Sequence, residues 1–295
     1  MAWEGVITAM VTPLKNNGGE VDFQALDEYC DFLLDKGING VFICGTTGEG
    51  PKLKIDERMK IAEFVVDKLK GKIKTIVHTG SIITSETLSL SKHAQQIKAD
   101  AVVVVLPYYY HYNDELLYSY FMEIADAVPD MPFFIYNIPQ CTGNNLSLGL
   151  FKKLIDNIPN LVGIKNSNSD IHQDIEFIDA AENRCSVFIG DDGLIVSGLS
   201  MGASGLVSGN ASAFPEYFVD LYKTFKNGDL KSAKEKQHFI NKLRKILAHG
   251  RDIASFKKAL LFRGINVGNV RRPDQDLSED EANKLKQALL ELGFI

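Results

Sequence analysis

Residues 101–136 read AVVVVLPYYYHYNDELLYSYFMEIADAVPDMPFFIY. A β-branched run over 101–106 gives way, after a short loop, to an amphipathic period over 114–128. A second apolar run follows at 132–136. Strand, helix and strand in that order form a βαβ unit, which requires a parallel sheet with helices packed outside it. The alternation extends in both directions. Strand-like runs fall at 6–12, 41–44, 74–79, 101–106, 132–136, 161–165, 187–190 and 206–208. Helical periods lie at 23–36, 55–69, 84–97, 114–128, 146–155, 171–181, 194–201 and 214–226. About eight such units are the count at which a parallel sheet closes on itself, so the predicted fold class is α/β, a (β/α)8 TIM barrel. Asp22 and Asp114 are the predicted helix N-caps of the first and fourth helices, Gly37 a C′ residue, and Pro129 and Pro159 helix stops. After residue 228 the rhythm changes. Residues 229–295 hold only helical periods, punctuated by Gly250, Gly264 and Pro273. The sequence therefore predicts a barrel catalytic domain over 1–228 and a C-terminal helical extension over 229–295 packed on it, with no flexible linker between them.

The whole chain has 295 residues, 45% of them hydrophobic and 24% charged, which is ordinary globular composition and excludes a disordered or fibrous architecture. Acids outnumber bases, 38 to 32, with no long basic run, so no nucleic-acid partner is expected. No apolar run is long enough for a membrane span, and no basic and apolar leader is visible at Met1-Ala2-Trp3-Glu4. Cys30, Cys44, Cys141 and Cys185 are widely spaced, which predicts reduced thiols and a cytoplasmic location. The histidines are scattered without ligand spacing, so no metal is expected.

In a parallel barrel the chemistry gathers at the carboxyl ends of the strands. The strand-like runs end in Gly45-Thr46-Thr47-Gly48-Glu49, Pro107-Tyr108-Tyr109-Tyr110, Tyr136-Asn137, Gly163-Ile164-Lys165 and Gly190-Asp191-Asp192. Strand alternation puts Leu161, Gly163 and Lys165 on one face and Val162 and Ile164 on the other. If the odd set faces inward, the amine enters a crowded mouth where desolvation favours its neutral, nucleophilic form. The competing reading is a lysine reaching solvent or paired with Asp191. Tyr136 is either a proton shuttle or an amphipathic core tyrosine. Thr46, Thr47 and the flanking glycines suit a carboxylate nest, or form an ordinary turn. Tyr108–Tyr110 is an aromatic cluster for a site or an interface.

Taken in order, these motifs resemble the dihydrodipicolinate synthase and N-acetylneuraminate lyase superfamily. The resemblance covers nearly the whole chain and runs through Gly45-Thr46-Thr47-Gly48-Glu49, Pro107-Tyr108-Tyr109, Tyr136-Asn137-Ile138-Pro139, Gly163-Ile164-Lys165 and Gly190-Asp191-Asp192. It implies a class I, pyruvate-dependent aldolase or lyase. Lys165 would form the Schiff base with the 2-oxo acid, and Tyr136 would be the acid/base. Thr46 and Thr47 would hold the carboxylate and help relay protons. Val207 would place its backbone carbonyl near the pyruvate moiety, and Tyr109 would reach into a partner subunit's site. A homotetramer, a dimer of dimers, is implied, and no metal or organic cofactor, because the imine itself is the electron sink.

Substrate choice turns on a few positions. Synthases of this superfamily carry an arginine two residues past Pro139; here Cys141 stands there. Ser167 is similar to a hydroxyl residue that sugar-acid lyases use, and Asp192 matches an aspartate that binds a sugar chain, although Gly193 replaces a glutamate. Gly48-Glu49-Gly50-Pro51 resembles the loop of 2-keto-3-deoxy sugar acid aldolases. With Gly190 beside them, these residues imply a 2-keto-3-deoxy sugar acid or sialic-acid-like substrate. The alternative is 4-hydroxy-tetrahydrodipicolinate synthase activity on pyruvate and aspartate semialdehyde. Two readings of other kinds are a phosphate-binding barrel using Gly190, Gly205 and Gly209, and a non-catalytic barrel that senses a 2-oxo acid.

Overall fold

The computed structural model describes residues 3–248 and 253–295. The chain begins with β1 (Gly5–Ala9), then a small hairpin of β2 (Leu14–Lys15) and β3 (Glu20–Val21). It continues through α1 (Phe23–Asp35), β4 (Gly40–Ile43), α2 (Ile55–Leu69), β5 (Lys74–His78), α3 (Thr84–Gln96), β6 (Ala101–Val105) and α4 (Asp114–Ala127). Next come β7 (Phe133–Asn137), α5 (Pro139–Thr142), α6 (Leu148–Asn157), β8 (Leu161–Asn166), α7 (Ile171–Ala181), β9 (Ser186–Ile189), α8 (Ile195–Ser200), β10 (Gly205–Ser208) and α9 (Pro215–Lys226). The last helices are α10 (Leu230–Ile246), α11 (Ile253–Phe262) and α12 (Glu279–Glu291).

Eight parallel strands close a barrel in the order β1-β10-β9-β8-β7-β6-β5-β4, with β4 pairing back to β1. The expected (β/α)8 TIM barrel is what the chain forms. Both faces of each strand are covered, which is why β6 can be an unbroken buried run of alanine and valine. One apolar layer fills the barrel interior, built from Ile7, Phe42, Ile76, Val103, Phe134, Tyr136, Phe188 and Val207 among others. A larger layer lies between strands and helices. Among the described residues no helix is long and apolar enough to cross a membrane.

Local chemistry sets the boundaries. Asp22 Oδ1 accepts from Ala25 N at 3.1 Å and caps α1, and Gly37 follows that helix at φ +72°. At α4 the cap is Asn113, which accepts from Leu116 N at 3.0 Å; Asp114 is already inside the helix. The β2–β3 hairpin and α5 were not foreseen, being too short to show a period. The expected helix break at Gly250 lies outside the described residues. Gly268, in the segment read as purely helical, makes an isolated parallel bridge to Leu14.

Strand β8 departs from simple alternation. Phe133 pairs with Leu161 and Phe134 with Gly163, so β8 carries one extra residue against β7. Leu161 consequently packs in the outer layer and Val162 against the interior, the reverse of the predicted faces. Beyond the irregularity the alternation resumes, with Ile164 outside. Lys165 is thereby aimed inward, in register with Tyr136 on β7 and Phe188 on β9.

The C-terminal helices are bonded to the barrel mouth. Lys257 of α11 donates to Glu49 Oε1 at 2.8 Å, with side chains only 2% and 0% exposed. The backbone N–H of Arg271 donates to the other Glu49 oxygen, and its guanidinium holds Glu57 of α2 through two bonds.

Candidate active site

The turn after β4 is shaped by two left-handed residues, Cys44 at φ +56° and Glu49 at φ +57°. Gly50 N closes it on Gly45 O at 3.0 Å, and the Thr12 hydroxyl ties down the Gly48 carbonyl at 2.6 Å. Glu49 is anchored from below by Lys257, so Thr46 and Thr47 face the barrel mouth on a fixed loop. That mouth is a cavity of about 620 Å³.

Lys165 projects into it and is 6% exposed. Its Nζ lies 4.0 Å from the Tyr136 ring centroid and 4.5 Å from that of Phe42. It neither reaches bulk solvent nor pairs with Asp191, which is bonded to Arg244 instead. The Tyr136 hydroxyl is 3.3 Å from Thr46 Oγ1, a hydrogen bond in which either oxygen can donate. Amine, phenol and an exposed threonine hydroxyl therefore form a line from the dry interior to the rim.

Beneath the phenol lies His78, stacked on Phe42 and edge-on to Tyr136 at 6.2 Å between centroids. Burial, reinforced by the Arg58 guanidinium, holds this imidazole well below its usual pKa, so the ring is neutral. It is an uncharged floor for the site.

The other predicted residues separate clearly. Cys141, Ser167, Gly190, Asp192 and Val207 line the same cavity as Lys165. Gly190 has no room for a side chain, since a Cβ there would sit 2.1 Å from Ser167 Oγ and 2.8 Å from Asn166 O. Asp192 accepts from Ser208 Oγ and Asn210 Nδ2, both at 2.7 Å, while its Oδ1 has no partner among the described residues. Burial raises its pKa above the ordinary carboxylate value despite those two donors. Gly48 lies in the turn, outside the cavity lining. Tyr109 is also outside it: 79% exposed, at φ +80°, edge-on to Tyr110.

Two features escaped the sequence reading. One is an amide network behind β7 and β8. Asn137 Nδ2 donates to Asn145, Asn166 and Gln173, and its Oδ1 accepts from Leu146 N. Asn166 passes the chain on to Asp174 at 2.8 Å, whose carboxyl burial raises to about 6. The network holds the ends of β7 and β8, which carry Tyr136 and Lys165. The second is Arg244 of α10, in the cavity wall. The only legible hint of the first was the asparagine after Tyr136 and after Lys165; nothing local marked the second. Among the described residues no cluster of three or more His, Cys, Asp or Glu side chains could hold a metal ion.

Residues 2–292 match the family model described as the dihydrodipicolinate synthetase family. The chain is 33% identical over 287 residues to the 4-hydroxy-tetrahydrodipicolinate synthase of Aquifex aeolicus, an alignment covering 97% of each protein. A crystal structure of dihydrodipicolinate synthase from Aquifex aeolicus superposes with a TM-score of 0.94 at 33% identity, covering 99% of this chain and 98% of that one. The pyruvate complex of YagE, an Escherichia coli prophage protein of the same family, superposes at 0.95 with 28% identity and complete coverage of both chains. The chain belongs to the dihydrodipicolinate synthetase family and is a pyruvate-dependent carbon–carbon lyase of the aldolase class.

Proposed function

We propose that this enzyme condenses pyruvate, held as an imine on Lys165, with aspartate semialdehyde, the activity of a 4-hydroxy-tetrahydrodipicolinate synthase. The observation that carries the imine is the burial of Lys165 against the Tyr136 and Phe42 rings, within reach of a phenol–threonine relay. The names of its relatives support the synthase over the sugar-acid aldolase that Cys141 suggested, and no relative compared above is named for a sugar acid.

Neutral Lys165 attacks the pyruvate ketone, and loss of water gives the protonated imine. Tyr136, hydrogen-bonded to Thr46, moves the protons of addition and dehydration. Thr47 and the amides of its turn hold the pyruvate carboxylate, beside the Val207 backbone. Loss of a methyl proton gives the enamine, whose carbon adds to the aldehyde. The substrate's own amine then attacks the imine carbon, closes a six-membered ring and releases Lys165. No cofactor beyond this imine is required.

Tyr109, together with exposed Tyr110, Ile82, Ile83 and Leu116 on loops and a helix start at the carboxyl side of β5 and β6, suits a face for a second copy. A dimer that lends Tyr109 to its partner's site, assembled into a homotetramer, completes the reading. So do a barrel unit over 1–228 with its extension over 229–295, and a cytoplasmic location.

A second reading, retro-aldol cleavage of 2-keto-3-deoxy sugar acids, is favoured by Cys141 and Ser167 in the cavity wall and by the unpaired Asp192 Oδ1. The test is one assay in two directions. Pyruvate plus aspartate semialdehyde should turn over, and pyruvate release from 2-keto-3-deoxy acids of four to nine carbons should be slower by kcat/KM. The opposite order would overturn the synthase reading.

A further inference from the structure

The outer wall of the cavity carries an ion pair in which Asp191, from the Gly190-Asp191-Asp192 motif, meets a residue that no motif contains. Arg244, on α10, donates from Nη2 to Asp191 Oδ1 at 2.5 Å, and Gly193 N donates to the same oxygen at 2.8 Å. Both side chains line the cavity that holds Lys165, at 20% and 13% exposure. Gly193 leaves the guanidinium its present place: a Cβ there would lie 2.1 Å from Arg244 Nη1 and push the end of that flexible side chain aside.

Cys141 lines this same cavity. A thiol cannot offer the planar two-donor fork that recognises a carboxylate. Arg244 supplies that fork from another element. The presence of Asp191 is also informative. A lone guanidinium in a cavity wall would leave a poorly solvated charge in the empty enzyme, and Asp191 neutralises it while fixing the orientation of its plane. A ligand bringing only a carboxylate would leave the subsite with one excess negative charge. A ligand bringing both a carboxylate and an ammonium satisfies both partners at once and keeps the subsite neutral. A neutral polyol chain needs hydroxyl-matched donors and acceptors and gains little from a charge pair.

We propose that Arg244 and Asp191, admitted by Gly193, form the subsite that reads the α-carboxylate and α-ammonium of an amino-acid aldehyde. This rests on the imine reading of Lys165 and specifies which aldehyde the imine meets. Arg244 is a specificity residue that holds the carboxylate of the incoming aldehyde, while the ammonium gives a proton to Asp191 and leaves it before its nitrogen attacks the imine carbon.

The test uses the full-length enzyme and its Arg244→Leu, Arg244→Lys and Gly193→Ala variants. Borohydride trapping with pyruvate alone reports the imine, and initial rates with pyruvate plus aspartate semialdehyde or glyceraldehyde report selectivity. The trapped adduct on Lys165 is expected in every form. In Arg244→Leu the kcat/KM preference for aspartate semialdehyde over glyceraldehyde should fall roughly 10- to 100-fold, the loss of hydrogen bonds to a charged group. Most of it should be in KM. Arg244→Lys should recover part of it, and Gly193→Ala should fall between. In the wild type, L-homoserine, which keeps the amino-acid head and lacks the aldehyde, should compete with aspartate semialdehyde, a measurement independent of any variant's folding. An intact adduct with unchanged preference in Arg244→Leu, or no competition by L-homoserine, overturns the subsite while leaving the imine standing. Absence of the adduct in the wild type overturns the imine reading, and the subsite falls with it.

Discussion

Replacing Lys257 by methionine isolates one of the contacts that tie the C-terminal helices to the turn carrying Thr46 and Thr47. Methionine keeps most of the stem's volume and removes the charge. Glu49 would then keep its bond from the Arg271 amide and the partly exposed Lys52 ammonium 3.5 Å from its Oε2, but lose the buried cation on its other oxygen, that pair being 2% and 0% exposed. Lys257 also serves the Asn269 carbonyl at 2.6 Å, which would lose its donor. Removing one member of a buried pair costs up to about 3–5 kcal/mol when the remaining charge is left without a partner, and the nearby Lys52 makes that the upper bound here. A chain of 295 residues unfolds with an entropy near 0.6 kcal/mol per kelvin, so the midpoint should fall by at most roughly 5–8 °C. The assay is thermal and urea unfolding of four proteins: wild type, Lys257→Met, Glu49→Gln and the double variant. The double variant should be more stable than Lys257→Met, since it no longer buries a carboxylate whose remaining ammonium, that of Lys52, is partly exposed. Because Glu49 closes the turn that presents Thr46 and Thr47, kcat should fall in Lys257→Met even where the protein is fully folded. A loss below about 1 kcal/mol in that variant would show that the Lys257–Glu49 pair does not brace the loop.

Other outcomes follow from the same geometry. Tyr136→Phe should lower kcat by roughly 10²–10³-fold while the pyruvate adduct on Lys165 remains trappable; wild-type turnover would reduce the phenol to packing. Asp174 has a folded pKa of about 6 against an ordinary value of 3.8, so its ionised form is the less stable one in the fold. Its penalty is absent below about pH 4, grows as pH rises through 6, and is complete above that. Asp174→Asn should therefore be more stable than wild type at pH 7, by up to about 2 kcal/mol after allowance for screening, with the difference vanishing near pH 4. A difference independent of pH in urea unfolding would contradict that. Gly190→Ala should cost ~1–3 kcal/mol and most of the activity, since its methyl meets the Asn166 carbonyl and Ser167 inside the cavity. Tyr109→Ala should lower kcat without altering pyruvate trapping if the residue serves a partner's site; sedimentation of a monomer with full activity would dismiss that role.

The sequence exposed those parts of the molecule whose physics is local. Eight β-branched runs separated by amphipathic periods are sufficient to name the barrel, because buried parallel strands need side chains that pack on both faces. The inward direction of Lys165 was also legible, but for Leu161 and Val162 the inference went astray: a one-residue irregularity against β7 resets the alternation before the lysine is reached. Asn113 and Asp114 are both good caps, and adjacent residues of similar chemistry cannot be ranked from pattern. What stayed hidden was long-range. Arg244 lies 53 positions from Asp191, Lys257 lies 208 from Glu49, and only closure of the barrel brings each pair together. The choice of substrate is non-local in the same way: Cys141 is legible in the sequence, but the guanidinium that shares its cavity comes from Arg244 on α10, far along the chain.

The central claim is that Lys165 is the amine that takes up pyruvate. Borohydride reduction of the intact enzyme with pyruvate, followed by peptide mass spectrometry, tests it directly. The account predicts one reduced pyruvate per chain, located on Lys165 and absent from Lys165→Ala, with the variant still folded. Adducts spread over surface lysines, or a trapped adduct that survives in Lys165→Ala, would contradict it.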